Sequence, residues 1–89
     1  MFKFSEAVSF VLECDTQDEI DHYWNSFTGN GGQESRCGWC KDKFGVSWQV
    51  IPAVLKTLMN NPNTAQKATM AFMQMRKFDL AQLLEATSS

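Results

Sequence analysis

The chain has 89 residues and a formal net charge of -2, enough for one small domain and not two. Its eight basic residues are scattered rather than gathered in a stripe, so nothing electrostatic supports nucleic-acid binding, and no apolar run approaches the roughly 20 residues that span a bilayer. At 44% hydrophobic and 12% aromatic it is richly apolar for so short a chain, and the surplus predicts a partner subunit that covers it. Three cysteines, an odd number, and a start of Met1-Phe2-Lys3-Phe4-Ser5-Glu6 without a secretory leader predict a reducing, cytoplasmic setting.

Ala7 to Cys14 reads as a strand, with Val8, Phe10 and Leu12 alternating with Ser9, Val11 and Glu13. Asp15-Thr16 stops it, and Thr16-x-x-Glu19 has the form of a capping box that opens a helix. Ile20, Tyr23, Trp24 and Phe27 then recur at helical spacing and give that helix one apolar face. Gly29-Asn30-Gly31-Gly32 ends it. Gln33 to Lys41 reads as extended, Asp42-Lys43-Phe44-Gly45 as a turn, and Val46 to Ile51 as a strand with Val46, Trp48 and Val50 on one face and Pro52 closing it.

The remainder is helical. Val54, Leu55, Leu58 and Met59 fit a short helix. Asn61-Pro62 starts a second, with Asn61 as N-cap, and Ala65, Ala68, Phe72, Met73 and Met75 form its apolar side. Asp79 caps a third, with Phe78 and Leu83 placed to staple its start, and Thr87-Ser88-Ser89 frays. The methionines Met59, Met70, Met73 and Met75 are expected to fill irregular apolar space, either covering a partner's cavity or packing the tail against the sheet.

Cys37-x-x-Cys40 has redox spacing, yet no helix follows it, and residues three apart on a strand point to opposite faces. The expectation is one buried and one partly exposed thiol. Cys14, Cys37, Cys40 and His22 lack the second close pair of a zinc site, and His22 falls on the solvent side of its helix. Glu6, Glu13, Asp15, Asp18, Glu19 and Asp21 make an acidic N-terminal region that complements the first helix's positive end; no carboxylate pair is set for acid–base work. Ser47 has no histidine beside it to make it a nucleophile. Trp39, Trp48 and Phe44 read as core or interface aromatics that could instead stack on a ligand. Gln49 is the best candidate for a polar group facing a cavity, the alternative being an amide satisfied by a neighbouring strand or at a dimer contact.

The blocks Ser9-Phe10-Val11, Cys14 to Asp21, Trp24, Cys37-Gly38-Trp39 and Lys41 to Pro52 resemble the vicinal oxygen chelate superfamily, the glyoxalase, bleomycin-resistance and dioxygenase group. They are most similar to the carboxy-terminal half of its PhnB-like branch, often labelled 3-demethylubiquinone-9 3-methyltransferase. The resemblance implies an α+β fold: residues 1–52 form one βαββ(β) module, and residues 53–89 a helical extension of the same domain. Members pair two such modules around a cavity, so a single module implies a homodimer. Metal enzymes of the superfamily carry a Glu where Gln49 falls and a His or Gln in the first strand, where Val8 and Ser9 offer neither. The methyltransferase label would call for a Gly-rich strand-to-helix loop, which the sequence lacks. The expectation is therefore a metal-free module without a cofactor, or a degenerate paralogue, that binds an unknown small molecule, with Gln49, Trp39, Trp48 and Phe10 as ligand-facing residues. The alternatives are a metal-dependent glyoxalase- or dioxygenase-like enzyme whose divalent cation is held by both subunits, and a structural carboxy-terminal fragment of a two-module protein.

Overall fold

A computed structural model describes residues 9–88. The expectations for Glu6, Ala7, Val8 and Ser89 lie outside these described residues. In chain order the elements are β1 (Ser9–Cys14), α1 (Gln17–Thr28), β2 (Gln33–Glu34), β3 (Trp39–Lys41), β4 (Ser47–Pro52), α2 (Val54–Asn60), α3 (Pro62–Phe72) and α4 (Leu80–Thr87). The strands form one mixed sheet in the order β1-β4-β3-β2; β1 runs parallel to β4, and the other pairings are antiparallel.

Local chemistry accounts for the element ends. Thr16 Oγ1 accepts from the Glu19 N–H at 3.2 Å, and Glu19 Oε1 accepts from the N–H groups of Asp15 and Thr16 at 2.9 and 3.2 Å. Together these satisfy orphan donors at the start of α1. The Gly29 N–H closes the other end on the Asn25 carbonyl at 3.0 Å. Asn61 Oδ1 caps α3 on the Asn63 N–H with Pro62 at its first position, and Asp79 Oδ1 caps α4 on the Gln82 N–H. The predicted fray at Thr87 is absent: Thr87 ends α4, and its hydroxyl donates to the Leu83 carbonyl at 3.0 Å.

One face of the sheet forms the core. The register sets Leu12 and Cys14 of β1 beside Val50 and Pro52 of β4, and Cys40 of β3 beside Trp48. Ile20 and Trp24 of α1 cover this face, both fully buried. The helical tail adds Ala68, Met75, Phe78 and Leu83 to the same cluster. Burying each large side chain contributes about 1.5–3 kcal/mol, so the tail residues carry a sizeable part of the core's stabilisation. Polar contacts fix the tail in place. The Gln17 amide donates to the Phe78 carbonyl at 3.0 Å and accepts from the Leu80 N–H at 2.7 Å, while Lys77 pairs with Asp21 at 2.8 Å. The hydrogen bonds from Lys77 and Gln17 hold the Asp21 carboxyl below its ordinary range.

Four expectations change. Residues 33–41 are not one extended run: the chain reverses over Arg36-Cys37-Gly38-Trp39, with the Trp39 N–H on the Arg36 carbonyl at 3.0 Å. Cys37 (φ 59°) and Gly38 (φ 81°) both lie in the left-handed region, the signature of a type I′ hairpin turn. Cys37 is held there because its N–H donates to the Met75 carbonyl and that of Gly38 to the Arg76 carbonyl, both at 2.8 Å. Met75 lies beyond the end of α3 and reaches the core from the following loop. Met59, Met70 and Met73 are exposed and do not pack the tail against the sheet. Phe44 is not a core residue; it stands 75% exposed at the turn tip, with the Lys43 ammonium 5.2 Å above its ring.

Candidate functional site

The sheet's second face has no α1 over it. By register it presents Ser9, Val11 and Glu13 from β1, Ser47, Gln49 and Ile51 from β4, and Trp39 and Lys41 from β3. Val11, Gln49 and Trp39 form one row across the three strands. At the β1 end Glu13 pairs with Lys56 of α2 at 4.0 Å. At the β3 end a cleft of about 270 Å³ opens, lined by Ser35, Trp39, Cys40, Lys41 and Ser47.

Gln49 sits in the middle of this face. Its Nε2 donates to the Cys37 carbonyl at 3.1 Å, which fixes the amide's orientation. No hydrogen bond engages its Oε1 among the described residues, so this group is available as an acceptor. The bond to Cys37 depends on the hairpin turn, which carries that carbonyl over β4. The cleft thus offers an aromatic wall (Trp39), a cation (Lys41) and two hydroxyls (Ser35, Ser47), with the oriented amide acceptor of Gln49 beside Trp39 on the same sheet face. It can hold a small planar or polar molecule by stacking and hydrogen bonding.

The four sequence candidates do not form one site. Gln49 and Trp39 share the open face, whereas Trp48 and Phe10 lie on the opposite face. There the Trp48 ring stacks on Phe27 at 4.4 Å, with the planes 12° apart, and meets Phe10 at 5.1 Å. Its indole N–H donates to Asp42 Oδ2 at 2.9 Å. Trp48 is thereby a packing residue, and Phe10 lies beside it on the edge strand. Lys41 and Ser47 were missed by sequence reading, although strand alternation with Trp39 and Gln49 places them on the open face.

Asp42 organises the turn that joins β3 to β4. Its Oδ1 accepts from the N–H groups of Phe44 and Val46 at 2.9 and 3.0 Å, and its own N–H donates to the Val46 carbonyl at 3.0 Å. Partial burial raises the carboxyl's pKa, but hydrogen bonds from the Trp48 indole and the backbone N–H groups of Val46, Phe44 and Gly45 outweigh it and leave the group below its ordinary value. The acid is committed to architecture.

The Cys14 and Cys40 thiols are equally committed to the core. All three cysteines are free. Burial, aided by Asp42 and Glu34, pushes Cys40 up to about 11, and burial followed by Glu19 and Asp15 raises Cys14. A thiol so raised stays protonated and is a poor nucleophile, which removes the physical basis for redox chemistry at Cys40. Among the described residues no three His, Cys, Asp or Glu side chains converge to hold a metal ion, and His22 is exposed with its ring edge-on to Tyr23 at 5.0 Å.

A family model described as 3-demethylubiquinone-9 3-methyltransferase matches residues 1–51. That range ends within β4, so the match covers the sheet and α1 but not the helical tail. No curated protein matches the chain.

Proposed function

Because the chain belongs to the 3-demethylubiquinone-9 3-methyltransferase family, a glyoxalase-like group, we propose that it is a metal-free small-molecule-binding module whose ligand lies on the open sheet face and whose second wall comes from another copy of the chain. The observation that carries this reading is the row Val11–Gln49–Trp39 beside a cleft of about 270 Å³, on the one sheet face that α1 does not cover. Val11 is 59% exposed, and a two-fold partner laid over this face would bury it and enclose the cleft. In this reading residues 1–52 supply the binding module, and residues 53–89 are an extension of the same domain that positions the hairpin turn behind Gln49.

The residues do not fit the groups that the family label or the superfamily's enzymes would bring. The turn from β1 into α1, Cys14-Asp15-Thr16, holds no glycine, and its capping box consumes the donors a nucleotide-like cofactor would use. At the position expected for a metal-binding carboxylate, Gln49 donates to a backbone carbonyl and is flanked on the open face by Val11 and Trp39. An amide so placed orients a ligand by accepting its O–H or N–H group.

Sedimentation and ligand-observed NMR against a library of small aromatic acids and alcohols test the proposal together. The expected results are a dimer at micromolar concentration and hits that Trp39→Ala and Gln49→Ala both abolish while the dimer persists. A stable folded monomer would overturn the shared site. Stoichiometric divalent metal that survives dialysis, measured by elemental mass spectrometry, would overturn the metal-free reading.

A further inference from the structure

The chain contains only two arginines, Arg36 and Arg76, forty positions apart in the sequence, and both line one cavity of about 330 Å³. Met73, Gln74 and Met75 complete its wall. We propose that this cavity binds a small phosphate monoester, with the phosphate between the two guanidinium groups and the ester's body along the methionine side. The site is separate from the open sheet face and does not rest on the function proposed above.

The geometry is held from beneath. Arg36 lies in the type I′ turn and Arg76 in the loop between α3 and α4. The two segments are joined by the Cys37 N–H to the Met75 carbonyl and the Gly38 N–H to the Arg76 carbonyl, both at 2.8 Å. Arg76 is oriented by Glu34, whose Oε1 lies 3.6 Å from it, and Glu34 is itself fixed by the Trp24 indole on Oε2 at 3.0 Å. The Arg36 side chain has no hydrogen bond or ion pair among the described residues. Two guanidiniums against one carboxylate leave a net positive charge at the cavity, in a chain whose overall charge is -2.

The residue type and the volume narrow the ligand class. Arginine presents a planar fork that matches oxyanions with paired hydrogen bonds, and two forks from different directions suit a tetrahedral dianion better than a flat carboxylate. A volume of about 330 Å³ equals roughly ten water molecules, more than a bare oxyanion fills. The Gln74 amide can meet a polar substituent on the ester, and Met73 offers an adaptable apolar surface.

The test uses the full chain, labelled with nitrogen-15, titrated at constant ionic strength with glycerol 3-phosphate, inorganic phosphate and acetate. The expected result is saturable shifts of the Cys37, Gly38 and Gln74 to Arg76 amides, strongest for the ester, with millimolar affinity. Arg36→Gln should weaken ester binding about ten-fold, the scale of one lost charged contact, while Lys43→Gln leaves it unchanged. The Arg36 side chain makes no hydrogen bond or ion pair among the described residues, and its turn carbonyl is kept in the variant, so the variant tests binding and not folding. Linear, non-saturating shifts, or an Arg36→Gln variant that binds like wild type, would overturn the site. Inorganic phosphate binding as tightly as the ester would overturn the assignment of an ester, and acetate doing so would overturn the assignment of a phosphate.

Discussion

Replacing Gly38 by alanine should damage the contact between the hairpin turn and the helical tail. A Cβ built there would lie 2.7 and 2.8 Å from Cε2 and Cδ2 of Phe78 and 2.8 Å from the Val50 carbonyl oxygen. Neither neighbour can retreat cheaply. Phe78 is fully buried, and the Val50 residue is locked by its own N–H on the Gly38 carbonyl at 2.8 Å. The left-handed φ of 81° adds about 1 kcal/mol for a residue with a side chain. Overpacking of the core adds about 1–3 kcal/mol, so the total is about 2–4 kcal/mol. At about 4–8 °C per kcal/mol for a domain of this size, the melting temperature should fall by roughly 8–32 °C. Gly45→Ala isolates the backbone part: Gly45 has φ 84° with no atom within 4 Å of its Cβ position, and its replacement should cost about 1 kcal/mol. Urea melts of both variants, with equal slopes, give the contact contribution as the difference. If Gly38→Ala costs no more than Gly45→Ala, the close approach of Phe78 to the hairpin turn is wrong.

Two further outcomes follow from the titratable groups. Asp42→Ala removes acceptors for the N–H groups of Phe44 and Val46 and the Trp48 indole, about 1 kcal/mol each, so stability at pH 7 should fall by about 3 kcal/mol. The folded carboxyl titrates below its ordinary 3.8, so its contribution is complete above that value and is lost as pH falls through the folded value; wild-type and variant stabilities should converge on acidification. A gap that stays constant down to strongly acidic pH would refute the role of the ionised group. Iodoacetamide followed by peptide mass spectrometry should modify Cys37 in the native protein, and Cys40 and Cys14 only after unfolding. Native-state labelling of Cys40 at the rate of Cys37 would contradict its burial.

What could be read from the sequence was local. The Thr16–Glu19 box, the Asn61-Pro62 and Asp79 caps and the Asp42–Gly45 turn depend on side chains that bond to backbone a few residues away, and all stand where the sequence put them. The Cys37-Gly38 turn was not legible, because cysteine carries no turn preference and its left-handed φ is imposed by the Met75 carbonyl, far along the chain. Gln49 stands out in the sequence as a polar residue of β4, but its bond to the Cys37 carbonyl depends on that same turn. Grouping Trp48 and Phe10 with Gln49 failed on a point the pleat decides: neighbours in a strand face opposite ways, and the parallel register then puts Phe10 beside Trp48 and Val11 beside Gln49. The methionines of the tail show the limit of amphipathic reading: α3 ends before both Met73 and Met75, and tertiary packing takes Met75 into the core from the loop while leaving Met73 exposed.

The parallel pairing of β1 with β4 bears on the order in which the chain folds. β2, β3 and β4 are joined by short hairpins and can form from nearby contacts, whereas bringing Ser9 against Ser47 closes a loop of about 40 residues. β1 should therefore dock late, after the hairpins and α1 have built the surface that receives it. Substitutions at Leu12 would then accelerate unfolding far more than they slow folding, so the edge strand governs how long the folded protein lasts rather than how fast it arises.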